Sequence, residues 1–341
     1  MGGIQLMRAI EIASPGAPLE LVERPMPEPG PGQVRIRVQA CGVCHSDEIA
    51  KEGWLPGMTY PLTPGHEVAG VIDVVGDGVV GWQVGQRVGV GWFGGECGHC
   101  EPCQRGDLMN CRNMPITGIT RAGGYAEAMV ADAAALASIP DELSAVEAAP
   151  MLCAGISTYN ALLRCGAAPG DLVAVLGVGG LGHLAVQFAA RMGFDVVATD
   201  RGPERAALAK QLGARRYIDA ATTPVGKALA ELGGAKAVIA TAPNAQSMSD
   251  AVDGLALDGV LVALGVPEEP ITIPVRALLS GRKITGSSGG ASVEAEDAMT
   301  FGVRSGVRPI IETMPLERAA EAYDRMMAGQ ARYRVVLTTG L

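Results

Sequence analysis

The chain is short of positive charge: 27 Lys and Arg stand against 36 Asp and Glu, for a net charge of -9 without a basic cluster. A footprint for nucleic acid or another polyanion is therefore excluded. It lacks any apolar run of the roughly 18 to 20 residues that a membrane span needs. Its N-terminal stretch, MGGIQLMRAIEIASPG, lacks the basic segment, apolar core and small-residue cleavage site of a secretion signal. A cytoplasmic protein with no membrane partner is expected. Blocks of like charge and low-complexity tracts are missing too, which excludes coiled coil and disorder. Aromatics are scarce at 4% while Gly reaches 47 residues, so the backbone turns often and a short glycine motif carries little information alone.

What is present suffices for two cores, since 341 residues exceed the roughly 150 of a typical domain. From Val34 to Val90, short Val- and Ile-rich runs such as VRIRV, VAGVIDVV and QRVGVG are broken by Gly and Pro; they read as strands with tight turns. From about Leu172 the runs LVAVL, DVVAT, KAVIATA and VLVALG alternate with Ala-rich stretches of helical period, which implies βαβ units and a parallel sheet. After KITGSS the alternation stops; a helical stretch over Leu316 to Met327 precedes a strand-like RVVLTTG. So short a tail cannot form its own core. Residues 290–341 are expected to fold back onto residues 1–153, with the sheet domain of residues 154–289 inserted between.

Given the glycine content, a G-x-G-x-x-G match is expected by chance roughly once, and three occur: GDGVVG from Gly76, GVGWFG from Gly89, and GVGGLG with Gly177, Gly179 and Gly182. Only the third follows an apolar strand and opens an amphipathic helix, so that helix amides can face a pyrophosphate. Gly179 would let the phosphate approach, and Gly182 would let helix and strand pack closely. Asp200 ends the next strand, at the distance where a carboxylate accepts hydrogen bonds from the adenosine ribose and repels a 2′-phosphate. This favours NAD(H). Arg201 follows at once, offsets part of that repulsion, and keeps NADP(H) as the alternative.

Eight cysteines without a secretion signal point to metal or catalysis before disulfides. Cys97, Cys100, Cys103 and Cys111 are spaced C-x2-C-x2-C-x7-C; four thiolates so close can close a tetrahedral shell around a structural Zn2+, with an iron-sulfur cluster as the rival. Cys44 in CGVCHSD, His66 in PGHE and Cys153 in MLCAG are dispersed, and singly each is an ordinary residue.

The ordered series CGVCHSD, PGHEVAGVI, CGHCEPC, LCAGIST, GVGGLG and ARYRVVL resembles the zinc-dependent alcohol dehydrogenases of the medium-chain dehydrogenase/reductase superfamily, in their shorter bacterial and yeast-like form. The resemblance covers essentially the whole chain. It implies an α/β protein in which a GroES-like β-rich catalytic domain carries an inserted Rossmann domain with a doubly wound parallel sheet. It implies two Zn2+ per chain, assigning Cys44, His66 and Cys153 to a catalytic zinc that Glu67 can approach, and Asp47 to orienting His66. Such a site would lower the pKa of a bound alcohol so that hydride can pass from carbon to the nicotinamide.

In similar enzymes a hydroxyl at the place of Ser46 passes the alcohol proton outward, and residues at the places of His45 and Arg334 contact the cofactor pyrophosphate. Ile49 departs from the pattern, because many relatives carry a relay histidine there. The relay would end at the cofactor ribose or water, or use Glu48 or Lys51. Trp92, with Trp54 beside it, would wall a narrow apolar slot for primary or aromatic alcohols and their aldehydes. An NADPH-dependent cinnamyl-type aldehyde reductase is the alternative within this chemistry, and a non-enzymatic zinc- and dinucleotide-binding redox sensor the alternative outside it. A homo-oligomer, a tetramer before a dimer, is implied by the resemblance alone.

Overall fold

A computed structural model describes residues 5–341, which divide into two compact units. The first comprises the described residues up to Cys153 together with Gly290–Val303 and Pro309–Leu341; the second comprises Ala154–Gly289 and Arg304–Arg308. The expected tail is thus interrupted by the short segment Arg304–Arg308. Arg308 joins the second unit through Gln187, whose side chain donates to the Arg308 carbonyl at 2.9 Å and accepts from its amide at 3.2 Å.

The first unit is built on a seven-stranded sheet whose central strand is Gln33–Val43. Burial along VRIRV alternates, as period-two side-chain geometry requires, and buries Val34, Ile36 and Val38 with Ile72, Val88 and Leu337. Each such side chain contributes about 1.5–3 kcal/mol. Two pairings of this strand bring distant residues together. Antiparallel to Val68–Val75, it sets Cys41 opposite Val68, and antiparallel to Arg334–Thr338, it sets Val43 opposite Val335. Residues 66, 67 and 334 thereby arrive beside the turn after Val43.

The second unit holds six parallel strands in spatial order Arg216–Asp219, Asp195–Asp200, Leu172–Leu176, Ala235–Ala240, Leu255–Ala263 and Lys283–Gly286. In order of sequence this is 3-2-1-4-5-6, the doubly wound arrangement that binds dinucleotides beyond the carboxyl ends of its strands. The near-continuous burial of LVAVL fits a strand covered on both faces.

The helical stretch expected over Leu316 to Met327 is present, as the 3-10 turn Leu316–Arg318 running into the helix Ala319–Met327. A 14-residue helix, Ser292–Ser305, precedes it, in sequence to which no element was assigned above. The other two glycine matches sit where no helix follows: Gly76 to Gly81 turn away from the strand Val68–Val75, and Gly89 lies within Arg87–Val90, where a Cβ would strike Leu152 at 2.6 Å. Among the described residues no helix is long and apolar enough to cross a membrane.

Candidate active site and metal centres

In the first unit, ligand atoms of Cys44, His66, Glu67 and Cys153 all lie within 4.8 Å of one another. Cys44 follows the end of the central strand, and His66 and Glu67 immediately precede Val68. Cys153 sits in a π-helical turn, Met151–Gly155, entered from Pro150; a proline lacks the amide that would continue the regular ladder, and such widened turns recur at functional sites. The Cys44 and Cys153 sulfurs are 3.8 Å apart. Two thiolates 2.3 Å from one tetrahedral ion would lie about 3.8 Å apart.

Asp47 ties this group together. It is 1% exposed; its Oδ1 lies 3.0 Å from His66 Nδ1, and its Oδ2 accepts from the Cys44 amide at 2.9 Å and from the Tyr125 hydroxyl at 2.8 Å. With Nδ1 turned toward Asp47, Nε2 is the nitrogen left to face a metal. Both ring nitrogens of His66, Asp47 Oδ1 and Glu67 Oε2 are buried without a well-aligned hydrogen-bond partner among the described residues, an arrangement costly unless something else satisfies them. Two sulfurs, an imidazole nitrogen and a carboxylate oxygen make a donor set that suits zinc. The second oxygen of Glu67 is engaged by Arg334, both side chains being buried. Gly42 admits that carboxylate, because a Cβ there would collide with Glu67 Oε2.

The electrostatics favour an anion on Cys44, while its neighbour Cys153 is pushed well up, first by the hydrogen bond with Cys44 and then by burial. The Cys44 thiol is held well below its usual range, first by the hydrogen bond from Cys153, against burial and with help from His66. Burial opposes charge on His66, but Asp47 and Cys44 outweigh it and push the imidazole up to about 10. A cation belongs here, whether a proton or a metal.

Around this group, Ser46 begins the helix Asp47–Glu52 without capping it by its side chain. His45 is exposed, with its Nε2 3.4 Å from Glu48 Oε2, while Lys51 is 2.7 Å from Glu52. Ile49 packs against a small apolar cluster that includes Leu62 and Trp92. The Trp92 ring meets His66 edge-on, with centroids 5.1 Å apart. Trp54 is 59% exposed, so nothing it touches places it in a wall with Trp92.

The second cluster also lies in the first unit. Sulfurs of Cys97, Cys100, Cys103 and Cys111 lie within 4.8 Å of one another, with individual separations of 4.0, 3.3 and 3.6 Å for the pairs 97–103, 100–103 and 97–111. These exceed the roughly 2.05 Å of a disulfide and bracket the edge of a tetrahedron around one ion. An iron-sulfur cluster would attach the thiolates to separate irons and spread them further.

In the second unit, the glycines of GVGGLG divide their tasks. Gly177 has φ +89°, which favours glycine; a Cβ on Gly182 would collide with the Gly177 carbonyl oxygen. A Cβ on Gly179 would meet nothing within 4 Å. The protein's own atoms do not demand glycine there, whereas a phosphate on the backbone would. Asp200 accepts from the Val178 amide at 2.8 Å and the Arg201 amide at 2.8 Å, so it braces this turn rather than capping the next helix. Arg205 was not singled out from the sequence. Its Nε lies 3.4 Å from Asp200 Oδ2 and its guanidinium donates to the Val178 carbonyl. Its signal was faint, an arginine five residues beyond the acidic one.

His183, in the first turn of the helix Gly182–Arg191, is buried, and burial pushes its pKa from 6.5 down to about 4. The unfolded chain then takes up a proton at higher pH than the folded one, so stability falls as pH drops from 6.5 toward 4 and is unaffected by this group above that window. The loss approaches on the order of 3 kcal/mol at the lower end. Urea midpoints at pH 7 and pH 5 check this: the wild type should lose more on acidification than His183→Gln, and equal losses would remove His183 as the cause.

Comparison with known proteins agrees with this geometry. The family model for the alcohol dehydrogenase GroES-like domain matches residues 30–141, and that for the zinc-binding dehydrogenases matches residues 180–304. The chain is 42% identical over 334 residues to an alcohol dehydrogenase of Geobacillus stearothermophilus, covering 97% of this chain and 99% of that one. A solved NAD-dependent alcohol dehydrogenase superposes with a TM-score of 0.90 at 30% identity, covering 98% of this chain and 100% of the other. The CAD of Helicobacter pylori, solved with NADP(H), superposes with a TM-score of 0.87 at 28% identity, covering 98% of each chain.

Proposed function

We propose, for a chain that belongs to the zinc-dependent alcohol dehydrogenases of the medium-chain dehydrogenase/reductase superfamily, that it moves a hydride between NAD(H) and a primary or aromatic alcohol and its aldehyde. The observation that carries this reading is the convergence of Cys44, His66 and Cys153, with the otherwise unsatisfied Nε2 of His66. Those three residues would hold a catalytic zinc, and Cys97, Cys100, Cys103 and Cys111 a second, structural one. When bound, zinc supplies a Lewis acid that eases loss of the alcohol proton, and the nicotinamide accepts the hydride.

The chain's own residues do the rest. Asp47 orients His66, while Arg334 engages one oxygen of Glu67. The Ser46 hydroxyl, uncommitted as a helix cap, takes the alcohol proton and passes it on. Ile49 cannot continue the relay, and Glu48 and Lys51 are engaged by His45 and Glu52, which leaves the cofactor ribose or water as its end. His45 and Arg334 are assigned to the pyrophosphate; for Arg334 this means sharing the guanidinium that now holds Glu67. Trp92, edge-on to His66, favours flat apolar substrates, with Trp54 as an outlying second wall.

Asp200 supports NAD(H), and Arg201 with Arg205 beside it supports the second reading, an NADPH-dependent cinnamyl-type reductase. Benzaldehyde reduction with matched NADH and NADPH decides between them: the wild type should prefer NADH. Asp200→Ala should lower kcat/KM with NADH by about 10- to 100-fold, as loss of charge-assisted hydrogen bonds implies, and raise it with NADPH. A wild type that prefers NADPH would contradict the role given to Asp200. All eight cysteines are unpaired, in keeping with a reducing, cytoplasmic setting. The resemblance makes a homotetramer the assembly to test first, by light scattering.

A further inference from the structure

Nothing in the sequence singles out Tyr125, yet its hydroxyl ends inside the group around Asp47. Tyr125 is wholly buried, and its hydroxyl donates to Asp47 Oδ2 at 2.8 Å, across 78 residues of sequence. The backbone fixes where that hydroxyl falls. The Tyr125 amide donates to the Pro64 carbonyl at 3.0 Å, two residues before His66, and its carbonyl accepts from the Ile10 amide at 2.7 Å. Gly65 makes the slot for the ring: at φ +101° it has no Cβ, and one placed there would collide with the ring carbon Cδ1. Phenylalanine would fill this slot equally well, so packing does not account for the hydroxyl.

Asp47 accounts for it. A buried carboxylate is costly unless donors surround it; Asp47 Oδ2 is met by the Cys44 amide and the Tyr125 hydroxyl, which hold Oδ1 3.0 Å from His66 Nδ1. Partners of a ligand imidazole set its orientation and its strength as a ligand. We propose that Tyr125 is a positioning residue for the metal centre: by holding Asp47, it fixes the tautomer and direction of His66 and so slows release of the catalytic metal. This rests on the reading of Cys44, His66 and Cys153 as that metal's ligands.

The test uses the full chain carrying Co2+ in the catalytic site. Tyr125→Phe keeps the ring and the packing. It should release Co2+ to a chelator about tenfold faster than the wild type, in line with changes to residues that support a metal ligand, with a shift in the visible cobalt bands. Release from the four-cysteine site should be unchanged. A variant with wild-type release rate and cobalt spectrum would overturn the proposal, even with a lower melting temperature, because that result would leave Tyr125 a purely structural residue. If His66→Ala binds as much Co2+ as the wild type, the metal reading itself falls and the role of Tyr125 with it.

Discussion

Replacing His66 with alanine is expected to lower aldehyde reduction by about a thousandfold or more while leaving the fold intact. The magnitude reflects what a bound zinc contributes to charge stabilisation in the transition state, several kcal/mol at about 1.4 kcal/mol per tenfold in rate. The fold should survive because His66 lies between the end of one loop and the strand Val68–Val75, whose apolar side chains stay in the core. Removing the imidazole also frees Asp47, which keeps its two other donors, the Cys44 amide and Tyr125. Steady-state rates with benzaldehyde and NADH, alongside circular dichroism, measure both halves. A variant within about tenfold of wild-type turnover would show that the chemistry does not pass through this site.

Cys103→Ser is expected to act in the opposite order, on stability before turnover. Between Cys97 and Cys111 the chain has only a four-residue helix, Glu101–Gln104, and one 3-10 turn, Leu108–Asn110, neither with a buried residue. So little apolar burial cannot order such a segment; on the proposed reading metal ligation is its main source of order, since a structural zinc site carries folding free energy directly. Loss of one thiolate should cost several kcal/mol, which for a chain of this size lowers the melting temperature by on the order of 10 °C. Proteolysis within residues 97–111 should accelerate. Turnover at low temperature should remain within a few-fold of wild type. A folded, equally heat-stable and inactive variant would count against a structural role for the four cysteines.

How far the chain could be read in advance depended on sequence distance. The four thiolates at 97–111 are local, so their spacing alone indicated a metal, and the glycine turn at 177–182 was separable from its two decoys by the strand before it and the helix after it. The group at Cys44, His66, Glu67 and Cys153 spans 110 positions, and no pattern of spacing joins it. The resemblance named those residues; their convergence depends on the register of Cys41 against Val68 and on the π-helical turn at Cys153.

What escaped the sequence is nonlocal in the same way. Tyr125 looks like one aromatic after two glycines until its hydroxyl meets Asp47. Gly42 reads as another turn residue until Glu67 occupies the space of its missing Cβ. Arg205, in the 3-10 turn Pro203–Arg205, carries little spacing signal of its own, and only the fold sets it beside Asp200. The helix Ser292–Ser305 buries only Ala295, Ala298, Met299 and Gly302, small or flexible residues, while its larger apolar side chains Val293, Phe301 and Val303 are not buried, so its buried face is too weak a signal to separate from loop.

The proposed function requires that Cys44, His66 and Cys153 hold a zinc on which turnover depends. Its most direct test is the metal content of purified protein, by mass spectrometry of the metal itself, set beside turnover for the wild type and His66→Ala. Two zinc ions per wild-type chain and one in the variant are expected, with activity disappearing alongside the missing ion. Equal zinc in both proteins, or full activity in a variant that has lost the ion assigned to Cys44, His66 and Cys153, would contradict this.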